Sequence, residues 1–162
     1  MISNQKLRDT FLSRQMRCYF ERKLPQVSSD EVMVRVEEAL KFLNMAAHCH
    51  GNIPVSEEID EIWHYWILET REYEKLCASL HGGNVIHHSS NVYAECAGDG
   101  AEVPANDLEE DVAMLGNYVL NYGPFEEDRI RYWPVAAHLV ENCGLSVDQL
   151  NEWLTSATPV SS

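Results

Sequence analysis

His64, on a predicted helix, and His87 and His88, just after a glycine pair, are the residues of this chain best suited to chemistry. Imidazole titrates near neutrality and its nitrogen lone pair suits zinc, iron or copper, so three such rings converging on one point would make a metal site. Asp60 stands four residues before His64 and Glu61 three before it, and both spacings put a carboxylate and an imidazole on one helical face. A dinuclear helical site would need a second Glu-x-x-His element, and the sequence contains one only. A mononuclear set is more economical. His64, His87 and Asp60 would leave open positions suited to ferrous iron and oxygen or to a zinc-bound water, and His88 in place of Asp60 would give a three-histidine set. Successive side chains of an extended segment point to opposite faces, so His87 and His88 reach one ion together only through a local turn.

Each histidine has a plainer reading. His64, flanked by aromatics in WHYW, fits a ring that packs on its neighbours and bonds to backbone. His48, His50 and His81 suit helix C-termini, where an imidazolium meets free carbonyls, and His138 suits a hydrogen-bonded core position. Cys77 falls on a buried helical face, where a thiol is a poor nucleophile. Arg71 is a candidate for holding an anionic substrate, with a salt bridge to Asp60 or Glu74 as the competing role. Trp63, Tyr65, Trp66 and Tyr73 read first as core.

The elements that must position these groups are helical. Leu7, Phe11, Met16 and Phe20 predict a helix from Asn4 to Leu24, ended by Pro25. Ser28 and Glu31 form a capping-box pattern before a stripe of Val32, Val36, Leu40, Leu43 and Ala47. Ser56 begins a third helix, Glu57 to Leu80, with Ile59, Ile62, Trp66, Tyr73, Leu76, Cys77 and Leu80 on one side and His64 almost opposite, beside Ile67, Leu68 and Arg71. Gly82 and Gly83 end it, and NVIHH is extended. Residues 89–105 form a small-residue loop. Asn106 with Glu109 caps a helix through Leu108, Val112, Leu115 and Val119 to Gly123. Two short helices follow, the first from Phe125 to Trp133 with a kinked continuation toward Gly144, the second from the Ser146 and Gln149 box to Ser156; 157–162 is a frayed tail.

Lys and Arg number 12 against 26 Asp and Glu among 162 residues, a formal net charge of −14, which repels phosphate backbones and anionic lipid. Nucleic acid and membrane are excluded as expected partners, and no apolar run approaches the roughly 18 residues a membrane span needs. The N-terminus lacks a signal-peptide stretch, which reads as cytoplasmic. Five cysteines without CxxC spacing indicate reduced thiols. GxSxG, a phosphate-binding glycine loop and HExxH are missing, so serine hydrolases, P-loop enzymes and zincins drop out.

The stretch IDEIWHYWILETREYEKLCASLHGGNVIHH resembles the central motif of the glycine-rich domain-containing protein-like family and small bacterial relatives. There a Trp-His pair, an ILxTRxY run, a cysteine and a later GxxIHH recur. The resemblance covers roughly 30 of 162 residues and implies that Trp63, His64, Arg71, Tyr73, His87 and His88 belong to one structural unit. The expectation is a single all-α domain over 1–162, of about six helices with the third central. It would bind iron or zinc through His64, His87, His88 and Asp60, with Arg71 and Tyr73 in catalytic positions, and act on a small-molecule or peptide substrate, an iron-dependent oxygenase being one form. The alternative is a non-catalytic acidic module that recruits a basic protein partner, its histidines structural.

Overall fold

The computed structural model describes residues 1–48, 52–80, 82–88 and 108–157. Among them are eight α-helices and no strand, so the chain is an all-α bundle. The 89–105 loop, the Asn106 cap, His50 and His81, and all of the 157–162 tail but Ala157, lie outside the described residues.

The predicted first helix is two, α1 (Asn4–Phe11) and α2 (Arg14–Lys23), because Leu12 is extended and Ser13 starts a new helix by accepting the Met16 N–H at 3.1 Å. The five-residue gap between Phe11 and Met16 marks this break. Next comes α3 (Ser29–Ala46), capped by Ser28, whose hydroxyl accepts the Glu31 N–H at 3.2 Å. It is buried along most of its length and packs on α1, α2 and two later helices, so α3 is the central helix, not the one carrying His64.

The predicted 57–80 helix is also two, α4 (Glu57–Leu68) and α5 (Thr70–Ser79), with Glu69 leaving the helical region between them at φ −91°, ψ 70°. Ile59, Ile62 and Trp66 on α4 and Tyr73, Leu76 and Cys77 on α5 are all buried. The apolar stripe keeps its phase across the break, so periodicity alone predicts one continuous helix. At the end of α4, just before the break, the outer side is open rather than covered: Leu68 is 66% exposed.

In the second half, α6 (Leu108–Tyr122) ends where Gly123 takes φ +93°, which a Cβ would strain. The predicted Phe125–Trp133 helix is turns and a 3₁₀ segment, Ile130–Tyr132, before α7 (Pro134–Glu141) opens with proline at its first position. The last helix, α8 (Val147–Ala157), is capped by a formed box: Gln149 N–H to Ser146 Oγ at 3.1 Å, and Ser146 N–H to Gln149 Oε1 at 2.9 Å.

A charged cluster joins the halves. Glu38 of α3 is fully buried, and its carboxylate accepts from Lys41 Nζ (2.7 Å) and Arg129 Nη1 (2.9 Å) on one oxygen, and from Trp133 Nε1 (2.9 Å) and Tyr118 OH (3.1 Å) on the other. Its neighbour Glu37 pairs with Arg8 of α1 and, at 2.6 Å, with Arg129. Burial, with the Glu38 charge, pushes the Tyr118 phenol well above its ordinary range, so it stays a donor.

Candidate metal centre

The outer face of α4 carries Asp60 and His64 one turn apart, as their spacing predicts. Gly82 and Gly83, at φ +91° and +63°, then turn the chain so that residues 84–88 run back as a strap. One clamp holds the strap: Tyr73 of α5 donates its hydroxyl proton to the Ile86 carbonyl and accepts from Trp63 Nε1 at 3.0 Å. Burial pushes the Tyr73 phenol above its ordinary range and keeps the proton on oxygen. Two residues beyond the clamp, the His88 ring stands edge-on to Trp63, with centroids 4.5 Å apart, and edge-on to His64 at 4.2 Å.

The result is a cluster of two imidazoles around one carboxylate. His88 Nε2 lies 3.1 Å from Asp60 Oδ1, His64 Nδ1 lies 3.2 Å from Asp60 Oδ2, and one ligand atom from each of the three residues lies within 4.8 Å of the others. Ligands at about 2.1 Å from a shared ion lie roughly 3–4 Å apart, so small side-chain movements would let all three coordinate one cation. His64 Nδ1 is also 2.8 Å from the Asp60 main-chain oxygen, a contact that fixes the ring and suits the Nδ1–H tautomer, with Nε2 then carrying the lone pair. Side-chain exposures of 41% for Asp60, 48% for His64 and 17% for His88 leave the cluster open on one side. A cleft of about 570 Å³ opens there, walled by Phe42, Ile53, Val55 and Trp63.

The other site candidates are placed differently. His87 is exposed and, like His88, lines the cleft, but it is outside the group of three. Tyr73 is buried with both hydrogen-bonding roles filled, which makes it a positioning residue for the strap. Arg71 is exposed on α5 and lines no part of this cleft, because the break at Glu69 removes the shared angle with His64 that a continuous helix would give it. Among the described residues Arg71 forms no ion pair with Asp60 or Glu74. Glu57, one turn before Asp60, lines the cleft and was legible in the sequence only as a first-turn carboxylate.

Fold and site together define an all-α bundle with a candidate histidine–carboxylate metal group, two members on its fourth helix and the third on the strap that follows α5. The chain belongs to the UCP032817-like family, which matches residues 3–100, more than half its length and all of the segment bearing Asp60, His64 and His88. This overturns the resemblance drawn from residues 59–88 to the glycine-rich domain-containing protein-like family: thirty residues of shared pattern gave way to a match across the whole N-terminal part. No curated protein matches the chain, and no solved structure does.

Proposed function

We propose that this protein is a mononuclear metal-dependent enzyme in which Asp60, His64 and His88 hold iron or zinc and the adjoining cleft takes a small-molecule or peptide substrate. The observation that carries the reading is the mutual approach of the three ligand atoms within 4.8 Å, at the wall of a cleft of about 570 Å³. Two imidazoles and one carboxylate leave coordination positions open. That set suits ferrous iron in oxygen chemistry and a zinc ion activating water. The chain's own residues fix the ligands: Tyr73 and Trp63 hold the strap, and the Asp60 main-chain oxygen orients His64. Cys18, Cys77 and Cys143 are free thiols, in keeping with a reducing, cytoplasmic setting. Among the described residues no helix is long and apolar enough to cross a membrane.

A second reading has its own support. Asp60 already bonds both imidazoles, so the cluster could serve only to tie the strap to α4 in an acidic module that meets a basic partner. Elemental analysis of protein purified without a histidine tag, then reconstituted with iron, zinc and copper in turn, separates the two. Near-stoichiometric metal lost in D60N and H88A supports the metal centre; no metal under any of these conditions overturns it.

A further inference from the structure

From the chemistry of the cleft we infer that its ligand is an amphipathic amine, an apolar body lying on the cleft wall and carrying an ammonium group that pairs with Glu57. The inference rests on the reading of this cleft as the working site.

Three features point the same way. The wall formed by Phe42, Ile53, Val55, Trp63 and Ile86 is apolar and offers a surface to an aliphatic or aromatic body. Among the described residues that line the cleft there is no lysine or arginine, so apart from an ion held by Asp60, His64 and His88 an anionic group finds no cationic partner there. The carboxylates of α4 are also unequally engaged. Asp60 holds two imidazoles and Glu61 accepts from Tyr65 OH at 3.1 Å, whereas Glu57 makes no hydrogen bond or ion pair among the described residues.

Glu57 is therefore the available counter-charge. It stands at the first position of α4, where its carboxylate meets the positive end of the helix dipole, so the helix start is not left open to an outside anion. One helical turn separates it from Asp60, which places an ammonium group bound at Glu57 about a turn away from an ion held by Asp60, His64 and His88. The −14 charge of the chain adds a general attraction for cations.

The test compares phenethylamine with phenylacetate, which share a ring and short linker and differ in charge, by titration into the metal-free protein, where no ion can ligate the carboxylate, with zinc retention measured separately. The expected result is binding of the amine about tenfold tighter than the acid, the preference falling to about threefold or less in E57Q and unchanged in E74Q, which removes an equal charge from an exposed position of α5 outside the cleft lining. Equal or tighter binding of phenylacetate, or a preference unaltered by E57Q, overturns the inference while leaving a zinc-retaining centre intact. Failure to retain zinc, with the amine preference still present in the metal-free protein, overturns the metal centre and leaves the inference standing.

Discussion

His88 Nε2 and Asp60 Oδ1 meet at 3.1 Å across 28 residues of sequence, and with His64 on the other carboxylate oxygen they make Asp60 the centre of the cluster. An ion held there would draw its one anionic ligand from Asp60. Changing Asp60 to Asn removes that charge with little change of shape. Metal affinity should fall by about a hundredfold or more, at least the loss typical of disturbing a group around a metal ligand. H88A should match it, and H87A should stay within about threefold of the parent, since His87 lies outside the group. Calorimetric titration with zinc reads all three, and an H87A loss equal to that of H88A would contradict the assignment.

Tyr73 joins α4 to the strap through its hydroxyl. Y73F removes the hydroxyl that bridges Trp63 Nε1 and the Ile86 carbonyl and leaves both without that partner. The expected cost is about 1–3 kcal/mol of folding stability, together with a roughly tenfold loss of zinc affinity as the strap loosens around His88. L76A, a cavity change in the same helix, should destabilise by about 2–5 kcal/mol while sparing zinc affinity in protein that remains folded. Denaturant unfolding paired with zinc titration distinguishes a clamp from a general loss of stability; equal affinity loss in both variants would remove Tyr73 from any positioning role.

The buried Glu38 makes a prediction for the fold. Four donors from Lys41, Arg129, Tyr118 and Trp133 converge on it, tying α3 to α6 and to the segment around the 3₁₀ turn. E38A leaves two buried cations without their shared counter-charge and should destabilise by about 3–5 kcal/mol. Replacing Arg129 by Ala should be strongly destabilising too, and the double variant should cost less than the sum of the two, because the second change relieves the charge that the first leaves unpaired. Additive losses in urea titrations would mean that Glu38 and Arg129 act independently.

Stability should also fall on the acid side. Burial alone would raise Glu31, but hydrogen bonds from Tyr132 and Arg35, with the Arg131 charge nearby, outweigh it and hold the carboxyl below its ordinary 4.5. Glu58 is likewise lowered, first by a hydrogen bond from its own N–H. A carboxyl lowered in the folded state adds stability that is complete above the unfolded value and disappears as pH drops through the folded one. Urea midpoints should therefore hold from neutrality to about pH 5, allowing for the usual unfolded glutamate value, and decline below it. E31Q should show a shallower decline than the parent; an identical acid limb would exclude Glu31 as a contributor.

Much of this architecture was legible because local signals and tertiary packing agree. The Ser146 and Gln149 box, the Ser28 cap and the Gly123 stop all mark real helix boundaries, and the Asp60 and His64 spacing alone put those side chains on one face. The Glu69 break escaped because Trp66 and Tyr73 remain in phase on either side of it. Arg71 went with it, since its assigned place beside His64 assumed a straight helix. Choosing His88 over His87 required the path of the strap, which is set by a long-range contact between Tyr73 and Ile86 that no local pattern encodes. Glu38 was invisible for a different reason: a glutamate beside another glutamate reads as solvated, and its burial follows from partners 80 to 95 residues away, Tyr118, Arg129 and Trp133.

Metal should stabilise the folded chain, because the three ligands come together only when the strap is docked on α4. An ion that binds the native state and not the unfolded one adds about 2.7 kcal/mol at a free concentration a hundredfold above its dissociation constant. For a chain of this size each kcal/mol raises the melting temperature by about 2–4 °C, so saturation should raise it by roughly 5–11 °C and a chelator should reverse the rise. H64A and H88A should melt at the same temperature with and without zinc, whereas H87A should keep the shift. Because the comparison is made within each variant, any direct effect of a substitution on stability cancels. A zinc-dependent rise that survives in H64A and H88A would place the ion elsewhere in the molecule and remove the physical basis for the proposed centre.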